Sequence, residues 1–261
     1  MTDLGSLVRE TADRLAEQHV GVVVAAIAGE SVEIRGAGRT GGKHDGVPDA
    51  DTVFEIGSVS KVFTALALAR LAVAGKADLD EPLAALLPEG TRVPSRDGKE
   101  ITLRHLATHT SGLPRLPKGM LLRALLRPST PDPYAGCTAE FLLGTLAATR
   151  LGAVPGRRFR YSNLGAGLLG LALARRAGTD YETLITREIC EPLGMTDTGL
   201  TDQSGRLIQG HDRRRRRLAV APGRPGRSRR VAVDGRGPGR LRARPAEPRL
   251  RRARRGDPAH P

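Results

Sequence analysis

Aromatic residues are scarce in this chain: it has no tryptophan, three tyrosines and four phenylalanines among 261 residues. A buried core must therefore rest mainly on leucine, alanine, valine and isoleucine. The two cysteines, Cys137 and Cys190, are too few for a disulfide framework, and we expect free thiols. No apolar run has transmembrane length, and no signal-peptide pattern opens the chain. We therefore expect a cytoplasmic protein without a membrane span.

Several common functional motifs are absent or incomplete. No Gly-x-Ser-x-Gly elbow occurs, which argues against the α/β-hydrolase route to a serine enzyme. The segment Gly36–Gly41 has the spacing Gly-x-Gly-x-x-Gly but runs into a loop rather than a helix, so we expect no dinucleotide site. His105 and His109 are four residues apart, but Leu106 stands where a zinc protease has glutamate. We expect capping or packing roles for both histidines, and neither a metal nor a cofactor.

The positive charge of the chain is confined to its end. The formal net charge is +14, but residues 213–261 hold 18 arginines and 3 acidic residues, which leaves a net charge of −1 on residues 1–212. Arginine, proline, glycine and alanine make up 38 of these 49 residues, and none is aromatic. Such a segment cannot bury enough apolar surface to offset the entropy of ordering, so we expect a disordered tail.

Three interpretations of this tail remain open. Arg, Pro, Gly and Ala are the residues of GC-rich codons, so we favour a frameshift near Arg213–Arg217, in the gene or in its sequencing. The main alternative is a non-catalytic protein whose arginine-rich arm binds nucleic acid in a salt-dependent way. Aromatic stacking platforms, which single-strand binders usually add, are missing. The third interpretation is a divergent tail without function.

Residues 1–212 show a regular order of elements. Apolar spacing predicts an amphipathic surface helix over 2–17, and valine-rich runs predict a β-hairpin from 20–28 and 32–35. A long segment from Ser58 to Gly75 is apolar on nearly every side, which predicts a buried helix. Further helices are expected at 102–108, 139–150, 164–177 and 181–190.

Ser58 and Lys61 lie where the strand-like run gives way to this long helix. Residues three apart share a helix face, so the hydroxyl and the ammonium can meet. A partly desolvated lysine can take the hydroxyl proton and turn serine into a nucleophile, and a helix amino end favours the negative charge that develops. An isolated Ser-x-x-Lys is more often a helix cap beside a solvated lysine, so the pair needs support from the rest of the chain.

Four ordered segments supply that support. Together they resemble the serine β-lactamase and penicillin-binding protein superfamily, most closely its class C β-lactamase-like branch of DD-peptidases and esterases. The resemblance covers about residues 20–212. The segments are Asp51–Lys61, Leu103–Pro114, Pro155–Asn163 and Glu191–Gly199.

The resemblance implies an α+β fold of the β-lactamase/transpeptidase type. Residues 1–212 would form a partial domain, an N-terminal β-hairpin followed by a helical region, and 213–261 a separate tail. In the family, later strands return to complete an antiparallel sheet. Here those strands would lie beyond Asp212, where the tail stands, so we expect them to be missing.

The resemblance also implies the residues of the site. Ser58 would be the nucleophile, Lys61 and Tyr161 would move protons, and Asn163 would bind the substrate amide and orient Lys61. The substrate would be a small ester, a β-lactam or a D-alanyl peptide, and the intermediate an acyl-enzyme. The Lys-Thr-Gly or His-x-Gly strand that completes the family's oxyanion hole is absent after Tyr161. We therefore expect impaired activity.

Overall fold

The computed structural model describes residues 3–41, 45–117, 138–200 and 206–211, together with the backbone of a strand at 232–234. Cys137 and most of the tail lie outside the described residues. The described elements are, in chain order, α1 (Leu4–Ala16), β1 (Gly21–Ala28), β2 (Ser31–Gly38), β3 (Val53–Glu55), a 3₁₀ turn (Gly57–Val59), α2 (Ser60–Val73), α3 (Leu83–Leu86), α4 (Leu103–Ala107), α5 (Ala139–Ala147), α6 (Asn163–Arg176), α7 (Tyr181–Ile185), a π-helical turn (Thr186–Cys190) and β4 (Ala232–Asp234).

The amino-terminal part is a helix packed on a β-hairpin. β1 and β2 are antiparallel, and their register runs from Gly21 opposite Gly38 to the turn. α1 lies against both strands and buries Val8 and Ala12. Asp3 caps its amino end, and the Asp3 carboxylate accepts a hydrogen bond from the Ser6 N–H. The predicted surface helix and hairpin are both confirmed.

The helical part has an aliphatic core. Leucines on α3, α4, α5, α6 and α7 pack together there. This agrees with the prediction that, because aromatic residues are scarce, the core consists mainly of aliphatic side chains. The predicted helices are all present, within a few residues of their expected bounds. The largest fully buried side chains of this part are Leu83, Ile101, Leu103, Leu106, Leu113, Leu146, Leu164, Leu168, Leu173 and Leu184.

Helix α2 is buried on one side only, so the prediction of burial all round is wrong. Its inner face packs toward α6, α7 and the π-helical turn. Its outer face carries an apolar stripe of Val62, Leu66 and Val73, which are 55%, 45% and 91% exposed. An apolar helix is enclosed only where other elements cover every face, and α6, α7 and the π-helical turn do not cover this stripe.

Part of the tail also differs from the expectation. β4 lies within residues 213–261 and pairs antiparallel with β3, Phe54 opposite Val233. Val53 on β3 also forms a parallel bridge with Leu207. A strand edge pairs through backbone groups alone, so even a composition that cannot form a core can contribute three residues to it. Where the sequence predicts that returning strands are missing, one short strand is therefore present.

Within the described ranges, no helix combines the length and the apolar character needed to cross a bilayer.

The core leads to a stability prediction. Leu168 on α6 is fully buried in the leucine cluster, whereas Leu66 on α2 is 45% exposed. We expect Leu168→Ala to lower the free energy of unfolding by about 2–5 kcal/mol, because the cavity is enclosed. The matched Leu66→Ala change should stay within about 0.5 kcal/mol. Urea denaturation followed by circular dichroism measures both, and equal losses would contradict this assignment of the core.

Candidate active site

The turn before α2 presents Ser58. The prediction places Ser58 in the first turn of the helix, but it lies in the 3₁₀ turn just ahead of α2. Gly57 has a φ of +53°, in the left-handed region where a side chain costs about 1–2 kcal/mol. The Val59 N–H closes the turn onto the carbonyl of Ile56 at 3.1 Å. This geometry leaves the Ser58 side chain exposed at the amino end of a helix.

Lys61 meets Ser58 from one turn further along. Its Nζ donates a hydrogen bond to Ser58 Oγ at 3.1 Å. The lysine residue as a whole is half-buried. The sequence spacing alone predicts this contact, since both residues belong to the same local turn.

Tyr161, in the segment just before α6, also contacts Ser58 Oγ. Its hydroxyl donates to Ser58 Oγ at 2.9 Å, across 103 residues of sequence. Its ring also lies below the lysine, with Lys61 Nζ 5.1 Å from the ring centroid. The structure thus brings Ser58, Lys61 and Tyr161 together, and their catalytic roles stay predictions.

Two hydrogen bonds next to Tyr161 hold it in place. The Ser162 hydroxyl donates to the carbonyl of Pro114 at 2.7 Å, and the Asn163 N–H donates to the carbonyl of Arg115 at 2.9 Å. Asn163 is the first residue of α6, directly after the Ser162 cap. Its backbone therefore helps to position Tyr161, while the amide role that the resemblance implies remains a prediction.

His109 is a neighbour of the site that the sequence does not identify as part of it. Its ring lies 4.6 Å from the Tyr161 ring, and its Nδ1 accepts the Ser162 N–H at 3.3 Å. Burial, and then the charge of Lys61, lower the pKa of His109. The lowered pKa favours the neutral imidazole, and the acceptor role of Nδ1 places its proton on Nε2. The expected packing role of His109 is confirmed. The sequence signal for its position near the site was that His109 lies within the Leu103–Pro114 segment, one of the four segments that carry the family resemblance.

His105 has the expected capping role, at the start of α4. Its Nδ1 accepts the Thr102 N–H at 3.2 Å, and Thr102 in turn caps the start of α4. Among the described residues, no group of three or more His, Cys, Asp and Glu side chains is arranged to hold a metal ion. The Gly36–Gly41 motif spans the end of β2 and the loop after it, and no helix begins there.

Arg115 is a second neighbour that the sequence does not identify. Its guanidinium carbon lies 5.7 Å from the centroid of the Tyr161 ring. Burial alone would raise the pKa of Tyr161, but hydrogen bonds with Lys61 and Ser58 and the charges of Lys61 and Arg115 outweigh it. The pKa of Tyr161 therefore lies below its usual value, which makes the phenolate form, the form that can accept a proton, more accessible near neutral pH.

Titration of the phenols tests this electrostatic picture. We expect Tyr161 to ionise below the usual tyrosine pKa of about 10, and Tyr181 above it, because burial raises the pKa of Tyr181. Tyr161→Phe should remove the lower step in an absorbance titration. Lys61→Met should move that step to higher pH, since it removes a positive charge and a hydrogen bond.

Lys76→Met is the matched control, because Lys76 is exposed beyond the far end of α2. It should leave the lower step unchanged. A lower step that survives in Tyr161→Phe would contradict the assignment.

Comparison with known proteins gives the family of the chain. The model of the beta-lactamase family matches residues 7–246, which includes the whole site and part of the tail. The chain therefore belongs to the beta-lactamase family, and the resemblance seen in the sequence is confirmed.

Individual relatives and structures give the same family. The chain is 38% identical over 191 residues to the D-alanyl-D-alanine-carboxypeptidase/endopeptidase AmpH of Escherichia coli K12, covering 72% of this chain and 48% of that protein. It is 35% identical over 153 residues to Esterase EstB of Burkholderia gladioli, covering 57% and 38% respectively. The beta-lactamase/D-alanine carboxypeptidase from Yersinia pestis superposes with a TM-score of 0.74 at 29% identity, covering 91% of this chain and 67% of that one. The chain spans about half the length of AmpH.

Proposed function

We propose that this chain is a serine hydrolase or acyltransferase that forms an acyl-enzyme on Ser58. The observation that carries the proposal is the convergence of two proton-carrying groups on one exposed hydroxyl oxygen. Lys61 Nζ lies 3.1 Å and Tyr161 OH 2.9 Å from Ser58 Oγ. A cap serine needs neither partner, whereas a nucleophile needs a group to take its proton.

The geometry supports a two-step reaction. In the first step, Tyr161 acts as its phenolate, which the lowered pKa beside Lys61 and Arg115 makes accessible. Ser58 Oγ attacks a carbonyl carbon while its proton passes to the phenolate oxygen of Tyr161. The tetrahedral oxyanion accepts a hydrogen bond from the Ser58 backbone N–H at the helix start. Its collapse expels the leaving group, which takes the proton from Tyr161. In the second step, water or another nucleophile attacks the ester and frees Ser58 in the same way.

The substrate class follows from the relatives only in outline. AmpH is named for action on D-alanyl peptides, and EstB for action on esters. Both reactions transfer an acyl group from an amine or alcohol leaving group to a nucleophile, and the Ser58 site suits either. We propose an amide, β-lactam or ester carbonyl as the group attacked.

Activity-based labelling tests the nucleophile. A fluorophosphonate probe should modify the wild-type chain on one residue, Ser58, identified by peptide mass spectrometry. Ser58→Ala should abolish labelling, while Ser95→Ala, which changes an exposed serine in the segment between α3 and α4, should not. Lys61→Met and Tyr161→Phe should each slow labelling by about 10²–10⁴-fold, the usual contribution of a general acid–base. Equal labelling of Ser58→Ala and wild type would refute the proposal.

The tail stands where the family has the strand that supplies the second oxyanion donor, so it affects the expected rate of the reaction. We propose a frameshift near Arg213–Arg217, because no Lys-Thr-Gly or His-x-Gly follows Tyr161 and the composition changes there. The chain as written would then lack the second oxyanion donor, which costs about 10²–10³ in rate. It would also leave apolar surface uncovered, as on the outer face of α2.

Reading the coding DNA in its other two frames beyond Asp212 tests this proposal. We expect a continuation with alternating strands and one of the two missing motifs. A protein expressed in that frame should be more soluble and should hydrolyse a chromogenic ester or cephalosporin at least about a hundredfold faster. If both alternative frames lack the motif, the frameshift proposal is wrong, and an arginine arm or a divergent tail remains.

A further inference from the structure

The guanidinium of Arg115 lies close to the aromatic ring of Tyr161. It stands 5.7 Å from the centroid of the Tyr161 ring, and the hydroxyl of that ring contacts Ser58 Oγ. Lys61 Nζ lies 5.1 Å from the same centroid. One aromatic ring therefore has two cations near it, and the hydroxyl of that same ring contacts Ser58 Oγ.

The backbone of Arg115 is held at this place. Its carbonyl accepts the Asn163 N–H at 2.9 Å, and the preceding carbonyl, of Pro114, accepts the Ser162 hydroxyl at 2.7 Å. Ser162 is fully buried, so the second bond is shielded from water. The arginine is thus anchored to the residues that follow Tyr161, and its side chain starts from a fixed point next to the site.

The charge of Arg115 is not neutralised within the described part of the chain. Arg70 and Arg104 pair with Glu188 and Asp80, but among the described residues no carboxylate lies within ion-pair distance of Arg115. The side chain is exposed, so a ligand can reach it. Lys61 already donates to Ser58 Oγ, whereas the guanidinium offers a planar fork of N–H donors that matches a carboxylate.

We propose that Arg115 is a specificity-determining residue that binds a carboxylate carried by the substrate, so that anionic esters or amides are preferred over neutral ones. This inference rests on the proposed acylation of Ser58. It assigns Arg115 a binding role and no proton transfer. An uncharged substrate would still meet Ser58, Lys61 and Tyr161, but would leave the guanidinium solvated.

A matched pair of substrates tests the proposal. 4-Nitrophenyl hexanoate and 4-nitrophenyl hydrogen adipate have acyl chains of equal length, and only the adipate ends in a carboxylate. The second-order rate constant of acylation is measured for each from the first turnover, with the non-enzymatic rate subtracted. We expect the wild type to prefer the adipate, and Arg115→Ala to reduce that preference about tenfold by removing a charge-assisted hydrogen bond.

Two further variants separate recognition from general effects. Arg115→Lys keeps the charge but loses the fork, so it should retain part of the preference. Arg9→Ala removes an exposed arginine on α1, away from the site, and should leave the preference intact. The proposal is overturned if Arg115→Ala slows both esters equally, or if Arg9→Ala lowers the preference as much.

A binding measurement keeps the test independent of catalysis. In Ser58→Ala, calorimetry compares hexananilide with the monoanilide of adipic acid, which need no nucleophile to bind. We expect the adipic acid monoanilide to bind about tenfold more tightly, and Ser58→Ala/Arg115→Ala to lose this difference. If neither ester acylates the wild type, the proposed function fails while this comparison still decides the role of Arg115. Equal binding of the two anilides overturns that role.

Discussion

The site depends on the close contact between the loop after α4 and the segment that ends at Tyr161. Gly112 accepts the Gly152 N–H at 2.9 Å and has a φ of +75°. A Cβ at Gly112 would lie 2.3 Å from the backbone oxygen of Ala153, so no side chain fits there without moving the backbone. This contact, together with the Ser162–Pro114 and Asn163–Arg115 hydrogen bonds, positions Tyr161 against Ser58, whereas Lys61 is a local partner of the serine.

The leucine core fixes the contact between the loop after α4 and the segment that ends at Tyr161, because both segments adjoin helices of that core. α6 begins directly after Tyr161 and Ser162, and its Leu164 and Leu168 are almost fully buried among the other helices. α4 packs against α6 and carries the loop with His109 and Arg115 at its end. Because packed helices move little, two loop segments distant in sequence keep a fixed distance of a few ångströms at the site. An aliphatic core with few aromatic side chains is sufficient for this purpose.

The electrostatics of the site follow from the same arrangement. Lys61 and Arg115 flank Tyr161 and lower its pKa, while His109 on the ring is neutral and adds no third charge. A second proton on His109 would place another cation beside the lysine, and burial already disfavours it. The result is a tyrosine whose phenolate form, the proposed acceptor of the serine proton, is more accessible, in a field that also attracts anions.

The sequence by itself determined the elements that depend on neighbouring residues. The hairpin, the helix caps at Thr102 and Asp180 and the Ser58–Lys61 contact all follow from spacing and local hydrogen bonds. The resemblance added Tyr161, because its segment has a recognisable pattern, although its 2.9 Å contact with Ser58 spans 103 residues.

Only the tertiary structure decided the rest. It showed His109 and Arg115 beside Tyr161, the uncovered stripe on α2, and the pairing of β4 with β3. Neither local periodicity nor composition contains this information. The packing of distant segments decides which helix faces are covered and which side chains contact the Tyr161 ring. That packing follows from the sum of many weak contacts across the whole chain.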